Sequence, residues 1–91
     1  GKYGRMRRIY LKEHRPALYS TLLLTEKLFP HLAEIDAACK TRLEIIETAM
    51  MRQEGVTEAL KADDQMEWVR RMNSIHSRVE EIVLHELVYA E

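Results

Sequence analysis

The stretch from Trp68 to Ile82 reads WVRRMNSIHSRVEEI, and its apolar residues recur at alternating steps of four and three. This spacing places them along one side of an α-helix, in a stripe like that of a coiled coil. The stripe consists of Trp68, Met72, Ile75, Val79 and Ile82. Arginine and glutamate side chains occupy the other faces, so this helix is predicted to pack on one side and to face water on the other.

A second long helix is predicted from about residue 30 to residue 54. Its apolar stripe is formed by Leu32, Ile35, Cys39, Leu43, Ile46 and Met50. Gly55 is placed to end this helix, because glycine is favoured just past a helix C-terminus. The connection over residues 55–64 is short, so we expect the two long helices to form an antiparallel pair.

The prolines divide the N-terminal third into shorter helices, because proline is well suited to a first helical turn. Pro16 and Pro30 therefore predict helices over residues 3–14 and 16–28. The second of these is apolar over much of its circumference, and we expect it to be the most buried helix.

The C-terminal region is predicted to be helical over residues 57–89, with a possible break at 62–64. Thr57 offers an N-cap for the first part, and Asp63 or Asp64 offers one for the second. The predicted fold class is therefore all-α: a single domain over residues 1–91, forming a small antiparallel helical bundle of about four helices, two of them long.

Length and composition agree with a folded helical domain, since 46% of the 91 residues are hydrophobic and 32% are charged. A domain of this size buries only about 60–65% of the surface that its unfolded chain exposes. We therefore expect association with a second copy, as a homodimer, or with another partner. The first residue is not Met, which suggests that an upstream segment is missing.

Location is predicted from what the sequence lacks. No run of 18 apolar residues is long enough for a membrane span, and Gly1-Lys2-Tyr3-Gly4 is not a signal peptide. The single cysteine cannot form an internal disulfide. We therefore expect a cytoplasmic protein.

Positive charge is concentrated at the N-terminus, although the whole chain has a net charge of only −1. Arg5, Arg8, Lys12 and Arg15 follow one another at steps of three, four and three, which gathers them on a narrow face of the first helix. Opposite them lies an apolar stripe that would dock the helix on the protein body. Together with Arg7, these cations form the candidate nucleic-acid-binding set: Arg5, Arg7, Arg8, Lys12 and Arg15.

Three other interpretations of this helix stay open. A basic face is equally typical of a surface that simply faces water, whereas a membrane-surface helix is disfavoured because the apolar side is short and ends at Glu13. A helix-turn-helix lacks its usual turn, because His14-Arg15-Pro16 leaves little room for one. Aromatic side chains in this region would either stack on bases or pack in the core: Tyr3, Tyr10 and Tyr19.

Catalytic motifs are absent from the sequence. There is no phosphate-binding Walker loop, dinucleotide fingerprint, nucleophile elbow or zinc-finger spacing. The Glu-x-x-His order of helical di-metal sites does not occur around any of the four histidines. Because Cys39 lies in an apolar stripe, we interpret it as a core residue rather than a nucleophile. We expect no enzymatic activity, no metal and no cofactor.

Several segments together resemble the TnpV family of small proteins encoded in bacterial transposons. The most specific is Tyr10-Leu11-Lys12-Glu13-His14-Arg15, and the others are Tyr3-Gly4-Arg5-Met6-Arg7, Tyr19, Leu22-Leu23, Lys27-Leu28, His31-Leu32, Ile35-Asp36 and Glu86-Leu87-Val88-Tyr89-Ala90. Members of the family carry a further N-terminal segment. The resemblance implies a mobile-element context and no established catalytic residue or ligand.

Two functions follow as hypotheses. The first is a non-enzymatic, self-associating accessory protein whose basic helix contacts a nucleic-acid backbone, with DNA the ligand that the family context favours. The second is a protein–protein interaction or dimerisation module without nucleic-acid contact, with a transposase or another mobile-element protein as a possible partner.

Overall fold

The computed structural model, which describes residues 1–91, confirms an all-helical chain. Its helices are α1 (Lys2–His14), α2 (Pro16–Leu24), α3 (Leu28–Gln53), α4 (Glu58–Asp63) and α5 (Gln65–Val83), followed by a π-helical segment (Leu84–Val88). The molecule is elongated, at 55 × 19 × 18 Å, because α3 alone is 26 residues long.

The main core lies between α3 and α5. It is formed by Tyr3, Cys39, Val56, Met72, Ile75, Val79, Val83 and Val88. The stripe that the sequence indicates on α5 is thus buried at its centre, whereas Trp68 and Ile82 are only half-buried. Val83 takes the core position beyond Val79, because the buried residues continue at a step of four.

A smaller core cluster joins the N-terminal helices to the start of α3. Leu11, Leu28 and Leu32 form it, and side chains of α1 and α2 pack around them. No residue of α2 is buried, and Leu24 is 83% exposed. The prediction that this helix is the most buried one is therefore wrong. Its nine residues pack on α1 and α3 from one side only, which leaves apolar side chains of the other faces in water.

The connection between α2 and α3 also differs from the prediction, since α2 ends at Leu24 and not near residue 28. Glu26 has a positive φ of 61°, the left-handed conformation that closes many helix C-termini. The N–H of Glu26 donates to Leu23 O at 3.2 Å, and the N–H of Lys27 donates to Leu22 O at 2.8 Å. This pair of bonds is a Schellman motif, formed here without a glycine.

Helix α3 begins two residues before the predicted start, with Pro30 inside its first turn. That position suits proline, because the first N–H groups of a helix have no partner within it. At the other end Gly55 has φ +68°, and the N–H of Val56 donates to Met51 O at 2.9 Å. Glycine accepts this left-handed conformation without steric cost.

Two side-chain caps separate α4 and α5 from the segments before them. The Thr57 hydroxyl accepts a hydrogen bond from the N–H of Leu60, and an Asp64 carboxylate oxygen accepts one from the N–H of Glu67, both at 3.1 Å. Each satisfies a backbone donor that the first turn leaves free. The structure thus has two helices over residues 58–83, with the break at Asp64.

Candidate nucleic-acid interface

The start of α1 is fixed by a carboxylate from α3. Gly1 precedes the helix and has no side chain to cap it. Asp36 supplies the cap instead, since one of its oxygens accepts hydrogen bonds from the N–H groups of Tyr3 (3.1 Å) and Gly4 (3.3 Å). The hydrogen bond from Lys40, 2.8 Å away, lowers the pKa of the Asp36 carboxyl, and the Gly4 N–H adds to this effect while desolvation opposes it.

Close packing then sets the distance between α1 and α3. A Cβ atom added at Gly4 would lie 3.1 Å from the carbonyl oxygen of Leu32, so a larger residue would push the two helices apart. On the opposite side, the buried Tyr3 hydroxyl donates to Glu80 at 2.7 Å. Burial and this hydrogen bond raise the pKa of the Tyr3 phenol. Helix α1 is therefore held by both α3 and α5.

Arg7 is the candidate residue that the structure places apart from the others. It is only 5% exposed, and its guanidinium donates to the carbonyl oxygens of Val88 (3.0 Å) and Ala90 (2.6 Å) and to His31 Nε2 (3.2 Å). Those carbonyls lie at the C-terminal end of the last helical segment, where a cation is favoured. Arg7 therefore joins α1 to the chain's C-terminal segment and, although it belongs to the candidate nucleic-acid-binding set, is not exposed.

A signal for this burial is present in the sequence. Arg7 lies four residues after Tyr3 and four before Leu11, and both of these are buried on α1. Steps of four keep residues on one side of a helix. Ile9, by contrast, is exposed, so the buried side of α1 is the one that carries Arg7.

Three of the remaining cations form an exposed row along α1. Arg5, Arg8 and Lys12 are exposed and have no carboxylate within 4.0 Å. Most other cations of the chain are instead neutralised by carboxylates: Lys2, Lys40, Arg42, Arg70, Arg71 and Arg78. We call Arg5, Arg8 and Lys12 the basic row.

Arg15 lies just past the end of α1, at its C-cap, and is only half-exposed. Its guanidinium lies 3.5 Å from the carboxylate of Glu91, which also accepts a hydrogen bond from the Tyr10 hydroxyl at 2.9 Å. Both side chains of the Arg15 pair are exposed to solvent, so the pair is weak. Arg15 is thus available to a phosphate only if it leaves this carboxylate.

A groove between α1 and α3 runs beside the basic row. Its volume is about 480 Å³, and Arg5 and Arg8 line it from α1 while Phe29 and Lys40 line it from α3. Phe29 is 65% exposed. Sequence reasoning missed Phe29 and Lys40, because neither belongs to a periodic pattern and only the packing of α1 on α3 brings them beside the arginines.

A sequence model of the family described as "Transposon-encoded protein TnpV" matches residues 1–88 of the 91. The chain belongs to the TnpV family. No curated protein and no solved structure matches it. Membership in the TnpV family associates the protein with transposons but assigns no role to any individual residue.

The remaining tyrosine, cysteine and histidine side chains of this TnpV chain form no chemical site. Tyr3 is buried in the core, and Tyr19 is half-buried with Lys12 Nζ 5.8 Å from its ring centre. Cys39 is fully buried, and desolvation, with the nearby Asp36 and Glu80 carboxylates adding to it, raises the pKa of its thiol. Histidine, cysteine and carboxylate side chains nowhere gather in groups of three that would hold a metal ion.

No helix of this TnpV chain is both long enough and apolar enough to span a bilayer.

Proposed function

We propose that this chain is a transposon-encoded accessory protein without catalytic activity, acting in the cytoplasm and binding the backbone of nucleic acid through α1. The observation that carries the proposal is the basic row: Arg5, Arg8 and Lys12 are exposed on successive turns, with no carboxylate to neutralise them. Unpaired cations along one face are the electrostatic footprint of a phosphate-binding surface.

The dimensions of the row fit a phosphate backbone. At a rise of about 1.5 Å per residue, the distance from Arg5 to Lys12 is roughly 10 Å along the helix axis. Along one strand of duplex DNA, phosphates follow one another at about 3.4 Å of axis, so the row matches about three of them. The contacts would be to phosphates alone, and we therefore expect binding that depends little on base sequence.

The rest of the fold supports this role by holding α1 in place. We infer that α3 and α5 run antiparallel, because contacts between side chains join residue 42 to 86, 47 to 76 and 54 to 78. Helix α1 packs against α3, its start is fixed by Asp36, and Arg7 ties its middle to the C-terminal segment. The cations thus stand on a helix that need not fold on binding.

Salt dependence of duplex binding tests the proposal. Three phosphate contacts predict a slope of about −2.7 in log K against log salt, since each contributes about −0.9. Affinity should therefore fall about 40-fold between 50 and 200 mM salt. Fluorescence anisotropy with a labelled random-sequence duplex measures this. Affinity that does not change with salt would refute the electrostatic basis of the proposal.

Charge reversal supplies the matched comparison. The double variant Arg5→Glu/Arg8→Glu should lose binding, whereas Arg52→Glu/Lys61→Glu should keep most of it. Both variants change the net charge equally, and Arg52 and Lys61 are also exposed and lack a carboxylate partner. Equal losses in the two variants would show that only overall charge matters and that α1 is not the binding surface.

The exposed apolar residues of the α2–α3 connection favour a second function, that of a protein–protein interaction module. Leu23, Leu24 and Phe29 are all exposed there, and a second copy of the chain, or a transposase, would cover them. Duplex binding, measured together with the mass in solution, separates the two functions, because self-association is compatible with both. If the module function holds, Leu24→Lys should turn a dimer into a monomer, whereas Arg5→Glu/Arg8→Glu should leave the dimer intact.

A further inference from the structure

The groove beside the basic row contains an aromatic side chain without a structural role in the chain itself. Phe29 is 65% exposed, although it lies next to the buried Leu28 at the start of α3. It belongs to neither core cluster, nor to the apolar residues packed around them. A large apolar side chain kept in water costs free energy that burial against a ligand would recover.

The charges around Phe29 indicate what kind of ligand would cover it. Arg5 and Arg8, both without a carboxylate partner, face it across the groove. Asp36 also lines the groove, but its charge is offset by Lys40, which lies 2.8 Å from one carboxylate oxygen, while the other oxygen accepts hydrogen bonds from two N–H groups of α1. The groove therefore combines an aromatic surface with two free cations, which suits a ligand with a planar ring and an adjacent phosphate.

Resting on the proposed function, we infer that the preferred ligand is single-stranded nucleic acid, with a base stacked on Phe29 and the neighbouring phosphates bound by Arg5 and Arg8. In a duplex the bases are already stacked on one another, so the ring of Phe29 has no free base to contact. In a single strand every base presents a face, and proteins that bind single strands combine aromatic side chains with a positively charged groove. The groove volume of about 480 Å³ lies within the usual range of ligand-binding clefts.

The size of the effect follows from base stacking on an aromatic side chain. Loss of one such contact weakens binding about 5- to 140-fold. Phe29→Leu should therefore reduce affinity for a 15-nucleotide single strand by that factor and leave affinity for the duplex of the same length nearly unchanged. Because Phe29 is exposed, the variant should unfold at the same urea concentration as the natural chain. Tyr89→Leu, at an exposed aromatic residue away from the groove, is the matched control and should bind like the natural chain.

The test is fluorescence anisotropy with a labelled 15-nucleotide strand and its duplex, at 50 and 200 mM salt, with the mass of the free protein recorded. Tighter binding of the single strand, lost in Phe29→Leu and retained in Phe29→Trp, supports the inference. Equal binding of both forms with no effect of Phe29→Leu overturns it, while salt-dependent duplex binding would leave the proposed function standing. No binding of either form at 50 mM salt overturns both. A dimer that Phe29→Leu converts to a monomer also overturns the inference, because a second copy then covers Phe29.

Discussion

The substitution Arg7→Met removes a buried charge that joins the two ends of the chain. Methionine keeps most of the length of the arginine stem and its packing, so the variant mainly deletes the hydrogen bonds of the guanidinium. The buried carbonyl of Val88 loses its donor, and the partly buried carbonyl of Ala90 loses a bond of 2.6 Å. His31 Nε2 loses its donor at 3.2 Å.

The expected cost is about 2–4 kcal/mol. A hydrogen bond to a charged group contributes about 1.5–3 kcal/mol, and a carbonyl left buried without a donor costs about 1–3 kcal/mol. Against this, the variant recovers the cost of burying the guanidinium, and water reaches the Ala90 carbonyl, which keeps the total below the sum of three bonds. A chain of this length has a stability of about 5–14 kcal/mol, so the loss is a large fraction of it.

Urea denaturation measures the effect, followed by the fluorescence of Trp68, the single tryptophan, and by circular dichroism. The midpoint should fall by about 1–2 M. Arg8→Met is the control, because it makes the same change one residue away on an exposed side chain, and it should stay within about 0.5 kcal/mol of the natural chain. If the two variants unfold at the same midpoint, the assignment of Arg7 as a buried link is refuted.

Two further predictions concern stability. Burial and the neighbouring guanidinium of Arg7 lower the pKa of His31, so the folded state favours the neutral imidazole. The stability that this contributes is present above the unfolded pKa of about 6.5 and is lost as the pH falls below that value. The urea midpoint should therefore decrease between about pH 6.5 and pH 5, and a His31→Gln variant that decreases equally would contradict this. The two residues with positive φ predict stability changes of opposite sign in thermal unfolding. Glu26→Gly should stabilise the chain by up to about 1 kcal/mol, and Gly55→Ala should destabilise it by about 1 kcal/mol. At Gly55 the cost comes from the backbone alone, since no atom lies within 4 Å of an added Cβ. If both variants change stability in the same direction, backbone conformation does not determine stability at these two positions.

Helical character was predictable along nearly the whole chain, because it depends on local spacing. The stripe containing Met72, Ile75 and Val79 is buried in the structure as the pattern indicated, and Cys39 lies in the core. Such positions repeat along a helix face, and a repeating signal is present in the sequence itself.

The α2–α3 connection was not predictable in the same way. Glu26 takes a left-handed conformation that is usual for glycine and rare for other residues, so its side chain carried no sign of a helix end. The exposure of α2 was also invisible, since an apolar sequence does not show how many sides of a helix find a neighbour.

The candidate site likewise combines features that the sequence predicts with features that only the tertiary structure shows. The sequence by itself determined that cations gather on one face of α1, because their spacing of three and four is a local property of the helix. Only the tertiary structure decided that Arg7 faces inward to the Val88 carbonyl while Arg5 and Arg8 face a groove with Phe29. Those contacts join residues that lie more than 20 positions apart, and the packing of α1 on α3 and on the C-terminal segment, whose partners no local pattern encodes, brings them together.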